Sequence, residues 1–380
     1  MTSAGPAVGE SRAHRGLVPG EAEALIAEAR RRRRDRRRRA ARLGLGAGLV
    51  VAAVAASIIG FSGRSARAPA GIPGWPPAGP LRPMPAQLVV WTSGFKIEVL
   101  SSGTGQVVRT LATNVALFRG LPTVAVSPAG VVYFDDTACG QAECIESTPL
   151  AGGPVTTIGP GYMPAISPDG RLLAYVAWTV KVYPPNTPVR DMAPIPEAIV
   201  VRNLATGTVR RWAFTSDVPD IGSLSWSPGD RFLSFTSLSW ASGSPPDPTT
   251  QLLDTGSGGT LTGARRIPLA HGLAWAGFLT ARIGMAVAPY PAAQGRQQSL
   301  VAVAVDTGRV LGRLTPLPIQ GLFTANASDG TEGTITADPA GHFILIAGAG
   351  PGGDGEIFRW AAGMRQLASI TSGAIRAAWA

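Results

Sequence analysis

Met163–Trp178 reads MPAISPDGRLLAYVAW. Apolar residues approach a Ser-Pro-Asp-Gly turn from one side and leave it on the other, which predicts strand, tight turn, strand. Each turn residue has a physical role. Proline fixes φ at the first turn position, aspartate bonds the backbone ahead of it, and glycine takes the left-handed conformation. The pattern returns in Thr123–Asp136 (TVAVSPAGVVYFDD), Ser223–Ser237 (SLSWSPGDRFLSFTS) and Thr334–Gly348 (TITADPAGHFILIAG). Gly272–Ala288 is a degenerate copy, and Ala374–Ala380 is half of one.

With Ser167 as marker, the equivalents are Ser127, Ser227, Ala276, Asp338 and Ala380, at successive intervals of 40, 60, 49, 62 and 42. A period near 40 with four strands per unit indicates a β-propeller blade, and the longer intervals indicate loop insertions. Hairpins with Thr-Gly or Ser-Gly turns fill out the units, as in Ala198–Phe214 and Leu300–Thr315. Residues 87–112 supply strands two to four of a unit without a first strand, and Ile375–Ala380 reads as a first strand without the rest. Joining them closes a ring of six blades over residues 87–380 and removes the exposed inner edge. The expected fold class is all-β, a six-bladed β-propeller.

Ile166–Tyr175 and Leu224–Phe235, with weaker matches at Val126–Phe134 and Ala337–Leu345, carry a W-S-P-D-G-x-x-L-A-F/Y block. This resembles the TolB-like or WD40-like six-bladed propeller family, in a membrane-anchored, actinobacterial form. The resemblance implies fold more than function, because such blades serve binding proteins, scaffolds and non-catalytic domains of peptidases. The Trp-Asp pairs of true WD40 repeats are absent, and Gly-His occurs once, at Gly341-His342.

The N-terminal part is of a different kind. Residues 1–42 hold 12 arginines against five acids, while the remainder holds 22 basic against 19 acidic residues. The basic surplus therefore belongs to a short segment, disordered or helical, and the bulk of the chain is not built for nucleic acid. Leu43–Phe61 (LGLGAGLVVAAVAASIIGF) is uncharged over 19 residues, enough for roughly 30 Å of hydrocarbon as a helix. The arginines before it predict a cytoplasmic N-terminus and an uncleaved transmembrane signal anchor. Gly44, Gly48, Ala52 and Ala56 form a small-residue stripe that would suit a homodimer through the transmembrane helix. Residues 62–86, rich in Pro and Gly, read as an extended linker that holds the propeller outside the cell membrane.

Hydrophobic residues make up 45% of the chain and charged ones 15%, so a large core is affordable but no chemistry stands out. Long insertions such as Lys181–Glu197, Ala241–Thr250 and Pro289–Gln298 fall between second and third strands, and Thr315–Gly333 falls between a fourth strand and the next first strand, two classes of connection that emerge on one face of the ring. Tyr183, Arg190, Trp240, Tyr290 and Arg296 are the candidate anchors there, since exposed aromatics and arginine dominate binding hot spots. Cys139 and Cys144 are the two cysteines, and an extracytoplasmic location favours a short-loop disulfide over a redox or metal pair. Gly348–Gly353 matches GxGxxG, but a strand follows it and no helix N-terminus exists to cradle phosphate. His14, His271 and His342 lack ligand spacing, and most of Asp135, Asp136, Asp169, Asp306, Asp338 and Asp354 read as turn residues. No cofactor or metal is expected. The expected function is non-catalytic binding of a protein, peptide or envelope component. A hydrolase working at the central channel and a transmembrane sensor are the alternatives.

Overall fold

The computed structural model describes residues 84–380, apart from 93, 116–122, 138–142, 180–194, 215–219, 240–246, 257–258, 271, 289–297, 317–333, 339–342, 350–354, 362–367 and 373. The basic segment, the apolar span 43–61 and most of the linker lie outside the described residues. Among the described residues no helix is long and apolar enough to cross a membrane.

The described strands form six sheets. The first holds β1 (Gln87–Thr92), β2 (Lys96–Ser101) and β3 (Val107–Thr113). The second holds β4 (Val124–Val126), β5 (Val131–Asp136), β6 (Cys144–Pro149) and β7 (Thr156–Pro160). The third holds β8 (Tyr162–Ile166), β9 (Leu172–Thr179), β10 (Ile195–Asn203) and β11 (Val209–Ala213). The fourth holds β12 (Asp220–Trp226), β13 (Phe232–Ser239) and β14 (Asp247–Asp254), and β15 (Gly259–Thr260) leaves it to pair parallel with β11 of the third before β16 (Arg265–Arg266) returns. The fifth holds β17 (Ala274–Phe278), β18 (Ile283–Ala288), β19 (Ser299–Ala304) and β20 (Val310–Pro316). The sixth holds β21 (Thr334–Ala337), β22 (Phe343–Ala349), β23 (Gly355–Ala361) and β24 (Ala368–Ser372). Finally β25 (Ala374–Trp379) pairs antiparallel with β1, setting Leu88 opposite Trp379 and Val89 opposite Ala378. It is the missing first strand of the first sheet. The first strands β4, β8, β12, β17, β21 and β25 contact one another in that order and back to β4, so the circle is closed.

Six apolar clusters fill the six spaces between neighbouring sheets. The period of two explains how one strand serves two of them. In β9, Leu173, Tyr175 and Ala177 face the second sheet, while Ala174 and Val176 face the fourth. In β22, Phe343 and Leu345 face the first sheet and Ile344 and Ile346 the fifth. This is why β9, β18 and β22 read as nearly unbroken apolar runs: both of their faces are buried. In β13 buried Ser234 and Thr236 alternate with Leu233 and Phe235 instead. Each fully buried Leu, Ile or Phe contributes about 1.5–3 kcal/mol.

The turn after each first strand is fixed by one repeated bond. The marker amide donates to the carbonyl that opens the second strand, as in Ser127 to Val131, Ser167 to Leu172, Ser227 to Phe232 and Asp338 to Phe343. In return the marker side chain accepts the amide of the second strand: Ser167 Oγ from Leu172 at 2.9 Å and Asp338 Oδ1 from Phe343 at 2.6 Å. Gly130 and Gly170 take the left-handed position at φ 72° and 74°. In Ser227–Asp230 the exchanged order forces Asp230 to φ 62°. The degenerate unit corrects the alignment expected from sequence. Leu279, not Ala276, makes the marker bond, to Ile283 at 2.9 Å, and Thr280 Oγ1 replaces serine as acceptor of the Ile283 amide at 3.0 Å.

Candidate functional site: the loop face of the ring

Antiparallel strands alternate in direction, so connections one-to-two and three-to-four emerge on one face, and two-to-three and four-to-next on the other. Among the described residues the first face carries mostly tight turns, together with the longer connection from Asp254 to Arg265 that contains β15. Gly105, Gly207 and Gly308 close three-to-four turns at φ 68°, 72° and 65°. The Asp169 amide donates to Asp230 Oδ1 of the next blade at 3.2 Å, and a Cβ on Gly170 would press on Pro128 of the previous one.

The opposite face collects the long connections. They span Asp136 to Cys144, Thr179 to Ile195, Ser239 to Asp247, Ala288 to Ser299 and Ala349 to Gly355, with a further one from Pro316 to Thr334. The topology thus brings the expected insertions to one face. Tyr183, Arg190, Trp240, Tyr290 and Arg296 themselves lie outside the described residues, as do Cys139 and all three histidines. Cys144 is disulfide-bonded.

The described part of this face contains two features, one that the sequence reading passed over and one that it grouped with the turn aspartates. One is the hairpin tip at Phe95, a residue that is 54% exposed and whose φ is 57°. The signal was present in Thr92–Lys96: the glycine of that turn stands one place before the left-handed position. The other is Asp135. It sits within strand β5 rather than in a turn, and it is buried. Its carboxylate accepts the Thr123 amide at 2.7 Å, the Thr123 hydroxyl at 3.1 Å and the Met163 amide at 3.2 Å. One side chain thereby ties the entries of two neighbouring first strands together. Burial pushes its carboxyl up to about 6, against the opposing pull of the Thr123 and Met163 amides. Nearby in the same blade, burial and then the Asp136 charge raise Glu146, and the Thr157 hydroxyl bond opposes them.

Around the channel the six first strands read VAV, YMPAI, DIGSLSW, AWAGF, TITA and AIRAAW. Among them the charged residues are Asp220 and Arg376, and Arg376 is buried. Among the described residues no group of His, Cys, Asp and Glu is arranged to hold a metal ion. The glycine run 348–353 begins in β22, and the strand β23 follows it, as its sequence context implied.

No family model matches the chain, and no curated protein matches it by sequence. Solved structures do. TolB from Acinetobacter baumannii is similar at 17% identity over 76% of this chain and 66% of that one, with a TM-score of 0.48. The putative TolB from Agrobacterium tumefaciens is similar at 15% identity over 77% and 92%, with a TM-score of 0.46. The tricorn protease is similar at 11% identity over 75% and 30%, with a TM-score of 0.45. One of these names a protease and two name TolB, so the likeness carries no activity across. The chain is a six-bladed β-propeller whose structural neighbours include TolB proteins, and what it shares with them is the fold.

Proposed function

We propose that this chain is a membrane-anchored extracytoplasmic scaffold whose loop face binds a protein, peptide or envelope component without catalysis. The observation that carries the reading is the asymmetry of the ring. Its two longest connections, Thr179 to Ile195 and Pro316 to Thr334, lie on one face, whereas the opposite face is closed mostly by short turns, the connection from Asp254 to Arg265 excepted. A rigid ring that varies its loops on one side is the arrangement of a binding surface. The near-absence of charge on the first strands supports a neutral channel rather than a reacting centre. Residues 43–61 supply the anchor in this reading, with the N-terminus cytoplasmic and residues 62–86 as spacer. Cys139 is the partner of Cys144, bracing the base of one loop.

The test is crosslinking and pull-down from intact envelopes with the full chain and with residues 181–194 replaced by a short Gly-Ser linker, which spares strand β10. The reading expects a captured component that the replacement loses. Capture that survives replacement of each loop-face insertion in turn would remove it. A propeller hydrolase is the competing reading, and the carboxylates around Asp135 are the feature that favours it. Hydrolysis of a peptide or glycoside library, abolished by Asp135→Asn in a variant that stays folded, would decide for that reading. A transmembrane sensor would instead lose a cytoplasmic partner when Arg30–Arg39 is neutralised.

A further inference from the structure

Thr92 pairs with Lys96 across the first hairpin, leaving residues 93–95 as a three-residue loop. Such loops place their last residue in the left-handed region, where glycine or asparagine is at ease. Here Gly94 comes one position early and Phe95 occupies that place at φ 57°. A phenylalanine pays a steric cost there that glycine does not. Burial does not offset it, because the residue is 54% exposed.

The tip is nevertheless held still. The Phe95 amide donates to the Thr92 carbonyl at 3.0 Å, and the Phe95 carbonyl accepts the Val115 amide at 2.9 Å. The ring meets Trp91 edge-on, at 5.7 Å between centroids and 86° between planes. Trp226 and Trp275 of the first strands spend their indole N–H groups on Ala165 and Ser234. The buried indole N–H of Trp91 has no such partner among the described residues. Trp91 is thus placed by packing, as a platform for Phe95. Exposed Lys96 follows it in the chain and pairs with exposed Thr113 in the neighbouring strand, and the exposed Asn114 after that is also left-handed at φ 61°. An exposed aromatic with its conformational freedom already spent, on the face that carries the long loops, has the properties of a hot-spot anchor. A local rule broken at an exposed residue marks function sooner than stability.

We propose that Phe95 anchors a protein partner on the loop face, its ring entering an apolar pocket while Lys96 pairs with a carboxylate beside that pocket. The proposal deepens the scaffold reading and rests on it. A protein partner fits better than a lipid surface, because one exposed ring followed by the cationic Lys96, in a strand pair that ends at exposed Thr113 and Asn114, presents little apolar area to insert.

The test uses the full chain in its own membrane with a photoactivatable benzoylphenylalanine at position 95. It is expected to crosslink to one protein. Phe95→Gly is then expected to keep or raise the thermal midpoint, since glycine suits the backbone, while capture of that protein weakens about tenfold or more. Phe95→Trp should retain capture and Lys96→Glu should reduce it. A lowered midpoint in Phe95→Gly would make the ring structural and overturn the proposal. So would unchanged capture in Phe95→Gly when replacement of residues 181–194 abolishes it. Capture that neither change weakens defeats the loop-face reading itself. Failure to crosslink any protein, or loss of binding to phosphatidylcholine–phosphatidylglycerol vesicles by Phe95→Gly, rejects the protein partner.

Discussion

The Ala380 amide donates to the Gln87 carbonyl at 3.3 Å. It is the same bond that Ser167 makes to Leu172, but no turn joins its two residues. The first blade is therefore assembled from segments nearly three hundred residues apart, and side-chain packing must do what chain connectivity does elsewhere. Leu88 and Trp379 stand opposite each other in the register and share one apolar cluster with Phe343, whose ring lies 5.9 Å from that of Trp379.

A double-mutant cycle measures that seam. Trp379→Ala should cost about 3–5 kcal/mol and Leu88→Ala about 2–5 kcal/mol, as buried truncations do. The double variant should fall short of the sum by about 0.5–3 kcal/mol, because either change alone already loosens the other partner. Denaturant unfolding of the four proteins reads the coupling directly. Additive costs would mean that β25 is held by its backbone ladder alone.

The pH dependence should carry the mark of Asp135. Its carboxyl titrates near 3.8 when the chain is unfolded and is raised to about 6 by burial in the folded ring. Below the unfolded value both states are protonated, and the contribution of a neutral Asp135 is complete. As pH rises towards about 6, the unfolded chain gives up its proton while the folded one keeps it, so stability falls. Above that the loss is complete, at about 3 kcal/mol. Unfolding free energies compared across this window should decline in the wild type and change far less in Asp135→Asn. Glu146, also raised by burial, acts with the same sign; a slope that persists in Asp135→Asn and disappears in Glu146→Gln would transfer the effect to it.

The legible part of this fold is the part written in backbone chemistry. Ser-Pro-Asp-Gly fixes a turn through φ values and one side-chain acceptor, so it survives as a pattern. The closure of the ring was legible too, because Ala374–Trp379 is apolar like the other first strands. The fifth unit was misaligned because Leu279–Arg282 has no Pro or Gly, and Thr280 keeps the function of the turn with a different residue. Its apolar strand around Trp275 could slide without a visible penalty. Asp135 read like the turn aspartates because only tertiary packing reveals that its carboxylate bridges two strand entries. Phe95 was hidden because Ser-Gly reads as an ordinary turn, whereas the informative fact is which residue takes the positive φ.

Thr280 gives a narrow check of that substitution. Its hydroxyl oxygen accepts the amides of Arg282 at 3.3 Å and Ile283 at 3.0 Å. Thr280→Ala should destabilise by about 0.5–1.5 kcal/mol, the net worth of such a bond, and Thr280→Ser should recover most of it. Equal losses in both variants, measured by chemical denaturation, would assign the effect to the threonine methyl.

Three glycines separate conformational strain from packing. Gly207, Gly105 and Gly308 close equivalent turns with nearly equal φ of 72°, 68° and 65°. A Cβ on Gly207 meets nothing within 4 Å. One on Gly105 would run into the carbonyl of Ile370 in the sixth sheet, and one on Gly308 into the carbonyl of Pro268 beside the fourth. Gly207→Ala should therefore cost only the left-handed penalty of about 1–2 kcal/mol. Gly105→Ala and Gly308→Ala should cost that plus about 1–3 kcal/mol of overpacking, because backbone carbonyls held by neighbouring blades cannot step aside. Thermal melts of the three variants, made under one condition, test the ranking. Three equal costs would mean that the outer strands of adjacent blades move apart freely, contrary to a ring packed edge to edge.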